Sequence, residues 1–381
     1  MAWAVEALAG MRACVIGPDI LHQYSLLAML QQLAVPASGA RDSHSFRLRS
    51  GPDSRTRPAR ALDLAFGTRD PSYMRYVLEA IDAARADIAL FYWGTLPLAD
   101  IVAIRRERPR LKTVLMLLCY PLALNSIGIA RQNLMLRRAL PHIDGLLCPT
   151  NDMRDYLKRG VARNSRCVLG VVPPCWPASM MPVERPQPHS DRPDLIYVGR
   201  TDISGATAHG ADDTRVLLKS LLDAGVELHH GHSPETDDGH PLRRTFAPKP
   251  NKQLVLEMAA HDASLMAYNT GACTRTERFE YTVPDRLISS AIAGVPVALP
   301  SEGYAASRHY LAEYGALLEF SSAPDLYRQL SDRSRIAELK ETAWQARTKY
   351  VAERHAPALG AVMADVMGVR DRSVRPRAEG A

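Results

Sequence analysis

The chain has 381 residues, of which 46% are hydrophobic and 23% charged, an ordinary composition for a soluble globular protein but a length that exceeds what one core usually serves. Its formal net charge of +6 suits an anionic partner such as a nucleotide diphosphate, a lipid phosphate or a membrane surface. The sequence has no zinc-finger spacing and no RNA-binding aromatic run, and its aromatic content is only 6%, which argues against nucleic acid as a partner.

Apolar runs alternate with amphipathic stretches through the first half of the chain. In chain order, the pattern predicts a strand over 14–17, helices over 22–33 and 71–85, a strand over 87–92, a helix over 98–106, a strand over 113–119, a helix over 129–139, a strand over 145–148 and a helix over 151–159. Asn151 is the predicted N-cap of the last helix. This alternation predicts a parallel, doubly wound α/β sheet.

Prolines then cluster at positions 173, 174, 177, 182, 186, 188 and 193, without an apolar period, which predicts a linker. A second alternation follows, with strands over 195–198, 226–230 and 263–268, helices over 213–224 and 251–260, and a last long helical stretch over about 335–367. The Arg-rich tail beyond residue 368 is predicted to be disordered.

The six cysteines are scattered without a C-x-x-C pair, and Cys14, Cys119 and Cys148 lie in apolar runs. They are typical of small buried hydrophobes in a reducing cytosol, and they predict neither disulfides nor a metal framework. The N-terminus lacks the basic region of a secretory signal, and the longest strongly apolar segment, 114–124, falls far short of the ~20 residues that span a bilayer. We expect a cytoplasmic protein whose membrane contact, if any, is peripheral.

Residues 280–300 indicate an acidic loop, a helix, a Gly stop and a short apolar strand. Thr282 is the predicted N-cap with Asp285 as its capping-box partner, Pro284 falls in the first turn, and Gly294 ends the helix. The free amides and the positive dipole end of such a helix favour an anion. An ordinary αβ unit without a ligand fits the same pattern.

The turn Ala293-Gly294-Val295-Pro296-Val297 resembles the one in the donor-binding segment of GT-B glycosyltransferases, especially the large retaining family 4 (group 1) type. The resemblance extends upstream to Tyr197-Val198-Gly199-Arg200, which is similar to the strand-Gly-Arg opening of that family's second domain, and downstream through residues 314–325. It covers roughly residues 190–335 well and the N-terminal half only in outline.

The resemblance implies the GT-B fold, with two Rossmann-like doubly wound domains facing across a cleft. The implied division is an acceptor-side domain over 1–175, a Pro-rich linker over 176–193, a nucleotide-sugar-binding domain over 194–340, a helical segment over 341–368 that crosses back to the first domain, and a disordered tail over 369–381. The implied reaction moves a sugar from a nucleotide-sugar donor to a hydroxyl of a saccharide or lipid-linked acceptor, in polysaccharide or glycoconjugate synthesis. No cofactor or metal is required, because helix amides and Arg can neutralise the diphosphate.

Three positions depart from the family pattern. Its paired Glu positions fall on Tyr281 and Ser289, and its Lys after the Gly-Arg pair falls on Gly205. These departures leave retaining and inverting chemistry both open, and they leave an inactive binding or partner subunit and a sugar-nucleotide epimerase as alternative functions. The chain also lacks G-x-G-x-x-G after its first strand and any P-loop motif, which argues against a dinucleotide oxidoreductase and a P-loop nucleotidase.

Two sets of residues are candidates for catalysis. His22 lies at the start of the first predicted helix, and in this respect the chain resembles inverting GT-B enzymes, which place a His ahead of an apolar helix. His22 could act as general base, with Asp19 as its orienting carboxylate. Glu280 could instead face the donor sugar, and a retaining outcome then stays open. A lone His is more often a surface or capped residue.

The candidate donor-binding residues surround the predicted anion site. Gly199 and Arg200 match the family's Gly-Arg pair, and Arg200 is the first candidate for the diphosphate because a guanidinium pairs bidentately with phosphate. The other candidates are Asn269, Thr270, Gly271, Thr282, Val283, Pro284, Asp285, Arg286 and Ser289. An Arg-rich stretch over 41–60 is either a solvated loop or a contact for anionic lipid heads.

Overall fold

A computed structural model describes residues 2–18, 20–49, 70–188, 190–199, 210–231 and 239–369. The chain divides into two compact units, one made of Met1–Leu117, Asn133–Val172 and His355–Ala381, the other of Leu118–Gln132 and Pro173–Arg354. In the part of the chain that the structure describes, no helix is both long and apolar enough to cross a bilayer.

The first unit is built on a parallel sheet, which has six strands within the described ranges. Its order is β2-β1-β3-β4-β5-β6. The strands are β1 (Ala13–Gly17), β2 (Ala37–Arg41), β3 (Ile88–Trp93), β4 (Lys112–Leu117), β5 (Gly145–Cys148) and β6 (Val168–Val171). The helices are α1 (Ala2–Ala7), α2 (Leu21–Gln32), α3 (Ser43–Arg49), α4 (Pro71–Ala84), α5 (Leu98–Glu107), α6 (Ser126–Ala139), which is shared with the second unit, α7 (Asn151–Arg159) and α15 (Ala356–Met367).

The central strands of this sheet are buried along their length, as expected for a parallel sheet covered by helices on both faces. Asp70 caps α4 by accepting hydrogen bonds from the amides of Ser72 and Tyr73. The predicted cap of α7 is wrong by one residue, because Thr150 has the extended backbone of an N-cap and its hydroxyl accepts from the Met153 amide. Asn151 is already helical.

Helix α15 packs against β5 and β6 through two strand glycines. A Cβ on Gly145 would lie 2.8 Å from a methyl of Val366, and a Cβ on Gly170 would overlap Val362. The absent side chains therefore let the helix approach the sheet closely. The long helical stretch predicted over 335–367 is interrupted by two 3₁₀ turns, Arg347–Tyr350 and Ala352–His355.

The second unit also contains a parallel sheet, with six strands in its described part. Its order is β12-β11-β10-β7-β8-β9. The strands are β7 (Asp194–Val198), β8 (Glu227–Gly231), β9 (Arg243–Phe246), β10 (Ala263–Leu265), β11 (Val297–Pro300) and β12 (Leu317–Phe320). The helices are α8 (Arg215–Asp223), α9 (Asn251–Ala259), α10 (Glu277–Tyr281), α11 (Asp285–Ala293), α12 (Ala305–Tyr310), α13 (Ala323–Ser331) and α14 (Arg333–Ala346).

Both strand orders reverse at one position, which is where doubly wound sheets bind ligands at the carboxyl ends of their strands. In the first sheet the reversal lies between β1 and β3, and in the second it lies between β7 and β10. The predicted class, two doubly wound parallel sheets with flanking helices, is confirmed. The edge strands β2, β6 and β9 are absent from the prediction.

The residues that precede α6 belong to the second unit. Within that unit, the Thr274 hydroxyl donates to the Leu124 carbonyl at 3.0 Å, and the Arg275 guanidinium donates to the Ser126 hydroxyl at 3.3 Å. The second unit thus includes Leu118–Gln132, a segment that lies in the sequence between two parts of the first unit. The ranges predicted from the sequence were continuous and did not include such an exchange.

A buried carboxyl joins three helices of the first unit. Asp100, at the start of α5, accepts hydrogen bonds from the Ser43 amide at 2.9 Å and the Tyr73 hydroxyl at 3.2 Å. Burial raises the pKa of Asp100 from 3.8 to about 6, against the opposing effect of these hydrogen bonds. The folded protein therefore holds this proton more tightly than the unfolded chain does.

We predict that Asp100→Asn alters the pH dependence of stability. The contribution of the raised pKa is fully present below about pH 4 and is lost as the pH rises through about 6. Between those limits the free energy of unfolding of the first unit should fall by about 3 kcal/mol in the parent relative to the variant. Urea unfolding at several pH values measures this difference. Parallel curves for the two proteins would contradict the assignment.

Candidate functional site

The reversal point of the second sheet is bordered by two loops. One begins at Gly199, directly after β7, and the other runs from Tyr268 through the 3₁₀ turn Thr270–Ala272 beyond β10. The Asn269 amide donates to the Ala211 carbonyl at 2.8 Å, which connects the second loop to the 3₁₀ turn Gly210–Asp212. Asn269 and Gly271 are exposed. The candidate residues Gly199, Asn269, Thr270 and Gly271 thus lie on the two loops expected to border a ligand.

Arg286, the second residue of α11, lies at this reversal point. Its guanidinium carbon lies 4.1 Å from the centroid of the Tyr268 ring and 5.4 Å from that of Tyr197. Burial lowers the pKa of Arg286, but the phenols of Tyr268 and Tyr197 outweigh that effect and the net shift is upward. Its Nη1 atom is buried and has no hydrogen-bond partner among the described residues. The site therefore contains a fixed cation with donor capacity to spare.

Gly199 lies against this guanidinium. A Cβ at residue 199 would lie 2.7 Å from Arg286 Nη1 and would overlap the Tyr197 ring. The Gly199 carbonyl is 3.1 Å from His230 Nε2, and the Tyr197 hydroxyl accepts from the Thr214 hydroxyl at 3.0 Å. A side chain at residue 199 would clash here, so glycine lets the backbone pass directly against the guanidinium.

The predicted cap of α11 is wrong. The helix starts at Asp285 with Pro284 as its N-cap residue, and no side chain caps it. Thr282 instead ends α10, where its hydroxyl donates back to the Arg278 carbonyl at 2.5 Å. The short preceding helix removes Thr282 from the start of α11. Gly294 ends α11 in the left-handed region, with φ of 70°, as predicted.

Ser289, at one of the family's Glu positions, and Glu280, one residue before the other, both make internal contacts. The Ser289 hydroxyl donates to the Asp285 carbonyl at 3.1 Å and accepts from the Trp176 indole at 2.9 Å. The Glu280 carboxylate accepts from the Ala305 amide at 3.2 Å, at the start of α12. Val283 is buried. These contacts give Ser289 and Glu280 a part in holding the loops around α11.

A second basic side chain lies beside the Arg286 aromatic pair. The Arg278 guanidinium carbon is 6.0 Å from the ring centroids of both Tyr268 and Phe279. Burial raises the pKa of Cys119, while Arg278 lowers it and Asp285 raises it. The sequence pattern does not identify Arg278 or Tyr268, and it places Tyr197 only in the strand-Gly-Arg motif, although both tyrosines occur near the end of a predicted strand.

The reversal point of the first sheet holds the predicted base. His22 is the second residue of α2 and is buried. Its ring centroid lies 5.9 Å from that of Trp93, in an edge-on arrangement, and 6.4 Å from that of Tyr92. Trp93 ends β3 with a φ of 108°, which non-glycine residues rarely adopt. Sequence analysis did not identify Trp93.

Two candidates, Asp19 and Arg200, lie outside the described residues, as does Gly205. Their roles stay predictions. The Arg-rich stretch 41–60 is described only as far as residue 49.

A cavity of about 750 Å³ in the first unit lies away from either reversal point. Lys112, Asp144 and Val168 in its lining mark the amino ends of β4, β5 and β6. Ligands of doubly wound proteins bind at the opposite edge of the sheet, so this cavity is not the candidate site.

No protein-family model and no curated protein matches the chain. Solved structures do match along nearly its whole length. Sucrose-phosphate synthase from Thermosynechococcus elongatus has a TM-score of 0.62 at 12% identity, covering 94% of this chain and 100% of that chain. Trehalose-6-phosphate synthase from E. coli, bound with UDP-2-fluoro glucose, has a TM-score of 0.60 at 11% identity, covering 96% and 100%.

A protein from Listeria monocytogenes described as a UDP-N-acetylglucosamine 2-epimerase has a TM-score of 0.58 at 14% identity, covering 96% of this chain and 98% of that chain. At these identities the matches establish the fold, which is the GT-B fold of glycosyltransferases, as the sequence resemblance predicted.

We predict that Gly199→Ala destabilises the second unit by about 1–3 kcal/mol, because the new methyl group must displace Tyr197 or the Arg286 guanidinium. Gly271→Ala is the matched control, since the nearest atom to its Cβ is 3.6 Å away. Thermal unfolding of both variants measures the effect. Equal thermal unfolding midpoints for the two variants would show that residue 199 has room for a methyl group.

Proposed function

We propose that this GT-B chain is a glycosyltransferase that moves a sugar from a nucleoside-diphosphate sugar to a hydroxyl of a saccharide or lipid-linked acceptor, in cytoplasmic polysaccharide or glycoconjugate synthesis. The observation that carries the proposal is the buried Arg286 Nη1, which has no partner among the described residues and lies beside the Gly199 backbone. A diphosphate would supply the anionic oxygens that this donor lacks.

The donor half of the proposed reaction depends on the second unit. The Arg286 cation and the uncapped amide end of α11 would stabilise the negative charge that develops on the leaving diphosphate. Arg200 would add a second guanidinium. These groups supply the charge that a metal ion supplies in other transferases, so the proposed reaction needs no metal or other cofactor.

The acceptor half of the reaction is assigned to the first unit. His22 would take the proton of the acceptor hydroxyl as general base, with Asp19 as its orienting carboxylate. Glu280 is the alternative catalytic carboxylate, but its bond to the Ala305 amide favours a structural role. We therefore propose an inverting reaction.

Two other functions compete with this proposal. Epimerisation is favoured by the Listeria monocytogenes match, and an inactive partner subunit is favoured by Ser289, which replaces the family's Glu and bonds to Trp176. Product analysis separates the three. An epimerase converts the donor without an acceptor, a transferase gives a glycosylated acceptor, and an inactive subunit gives neither.

We predict that Arg286→Met weakens binding of UDP or GDP, whichever the parent binds, by about 1–3 kcal/mol, or roughly 5- to 150-fold in Kd. Met keeps the packing on Tyr268 and removes the charge. Arg328→Met, on an exposed part of α13, is the matched control and should bind like the parent. Titration calorimetry measures all three proteins. Unchanged affinity in Arg286→Met would remove this residue from the donor site.

We predict that His22→Gln lowers the rate of transfer by about 100- to 10,000-fold while leaving nucleotide affinity intact, because a general base acts on the acceptor alone. His44→Gln, at an exposed position of α3, is the control. Full activity in His22→Gln would shift the assignment to Glu280. NMR of the product anomer gives an independent check, since retention of configuration would reject His22 as an inverting base.

A further inference from the structure

A second cluster of chemically active side chains lies at the amino end of the second sheet. Asp194 begins β7, His229 lies within β8, and His261 follows α9. Their exposed fractions are 1%, 3% and 0%. One ligand atom from each, a nitrogen of each imidazole and an oxygen of the carboxylate, lies within 4.8 Å of the others. The proposed nucleotide site lies at the carboxyl end of the same sheet, so this cluster is a separate feature.

Hydrogen bonds, ring contacts and strand register hold the three side chains in place relative to one another. Asp194 accepts from His261 Nδ1 at 2.7 Å through one oxygen and from the Asp262 amide at 2.7 Å through the other. The two imidazole rings lie 4.5 Å apart between centroids. His229 Nε2 lies 3.4 Å from a Glu227 carboxylate oxygen, on the strand that pairs with β7. The cluster is therefore assembled by strand register and by direct contacts.

The charges around the cluster are already balanced. Asp262 pairs with Arg333 and lies 3.7 Å from Lys340, while Glu227 lies 3.4 Å from Arg244. These three cations offset Asp262, Glu227 and Asp194, so the two imidazoles form the part of the cluster without a fixed charge. Buried ionisable groups occur in proteins either paired or as metal ligands. Two imidazoles and a carboxylate are ligands that Zn²⁺ prefers.

We propose that Asp194, His229 and His261 form a Zn²⁺ site that stabilises the second unit. Ligand atoms at ~2.0–2.2 Å from a tetrahedral zinc ion lie about 3.3–3.6 Å apart. Atoms of the cluster that lie up to 4.8 Å apart would therefore close by at most about 1.5 Å, and the His261–Asp194 pair, at 2.7 Å, would open by about 0.6–0.9 Å. The ion takes the place of the proton between His261 and Asp194, and Glu227 orients the His229 ring from outside the ligand set. It joins the start of β7 and the middle of β8 to the turn after α9.

The test uses the full chain, stripped with EDTA and titrated with Zn²⁺ by calorimetry. We expect one ion per chain and a higher thermal midpoint with Zn²⁺, because metal binding stabilises only the folded state. His229→Gln and His261→Gln should each lose stoichiometric binding and the shift in midpoint. His309→Gln, at an exposed position of α12, should keep both.

A second measurement needs no variant. Co²⁺ added to the stripped parent protein should give visible absorption that saturates at one equivalent and disappears when Zn²⁺ is added. Absence of stoichiometric Zn²⁺ binding by the parent protein, or its retention in both ligand variants, would overturn the proposal. If the ligand variants fail to fold, the Co²⁺ titration decides alone: saturation at one equivalent supports the site, and featureless or unsaturable absorption refutes it.

Discussion

The candidate site depends on the confinement of one cation. The Arg286 guanidinium packs on the rings of Tyr268 and Tyr197, and Gly199 lies so close to it that a side chain at residue 199 would clash. Aromatic faces attract a cation without consuming its N–H donors. The guanidinium is consequently held in place while Nη1 keeps its hydrogen-bonding capacity, which suits it to an anionic ligand.

The sequence around α11 departs from the expected glycosyltransferase pattern, but the residues at or next to the departing positions make contacts that hold the site's loops. Ser289 replaces a Glu, yet it connects α11 to Trp176 through its hydroxyl. Glu280 holds the start of α12. The loops around α11 are therefore held by side chains of the second unit itself, and Arg286 projects from a fixed helix start.

The amount that could be predicted differs between fold and site. Strand-helix alternation gave the two doubly wound sheets, because buried parallel strands such as β3 and β4 are continuous apolar runs. Edge strands were not predicted. Strand β2, for example, has the sequence Ala-Ser-Gly-Ala-Arg, which shows no alternation of apolar and polar residues. Thr282 was misplaced because a five-residue helix that no periodicity can reveal precedes α11. Arg278 and the His229–His261 pair come together only through the tertiary fold, so spacing along the sequence gave no sign of them.

A crystal structure of the chain with a nucleoside diphosphate, UDP or GDP, would show whether Arg286 binds the diphosphate. We expect phosphate oxygens within hydrogen-bond distance of Arg286 Nη1, next to the Gly199 backbone and in front of the first turn of α11. A diphosphate bound at any other place on the chain, with Nη1 still lacking an anionic partner, would contradict this expectation.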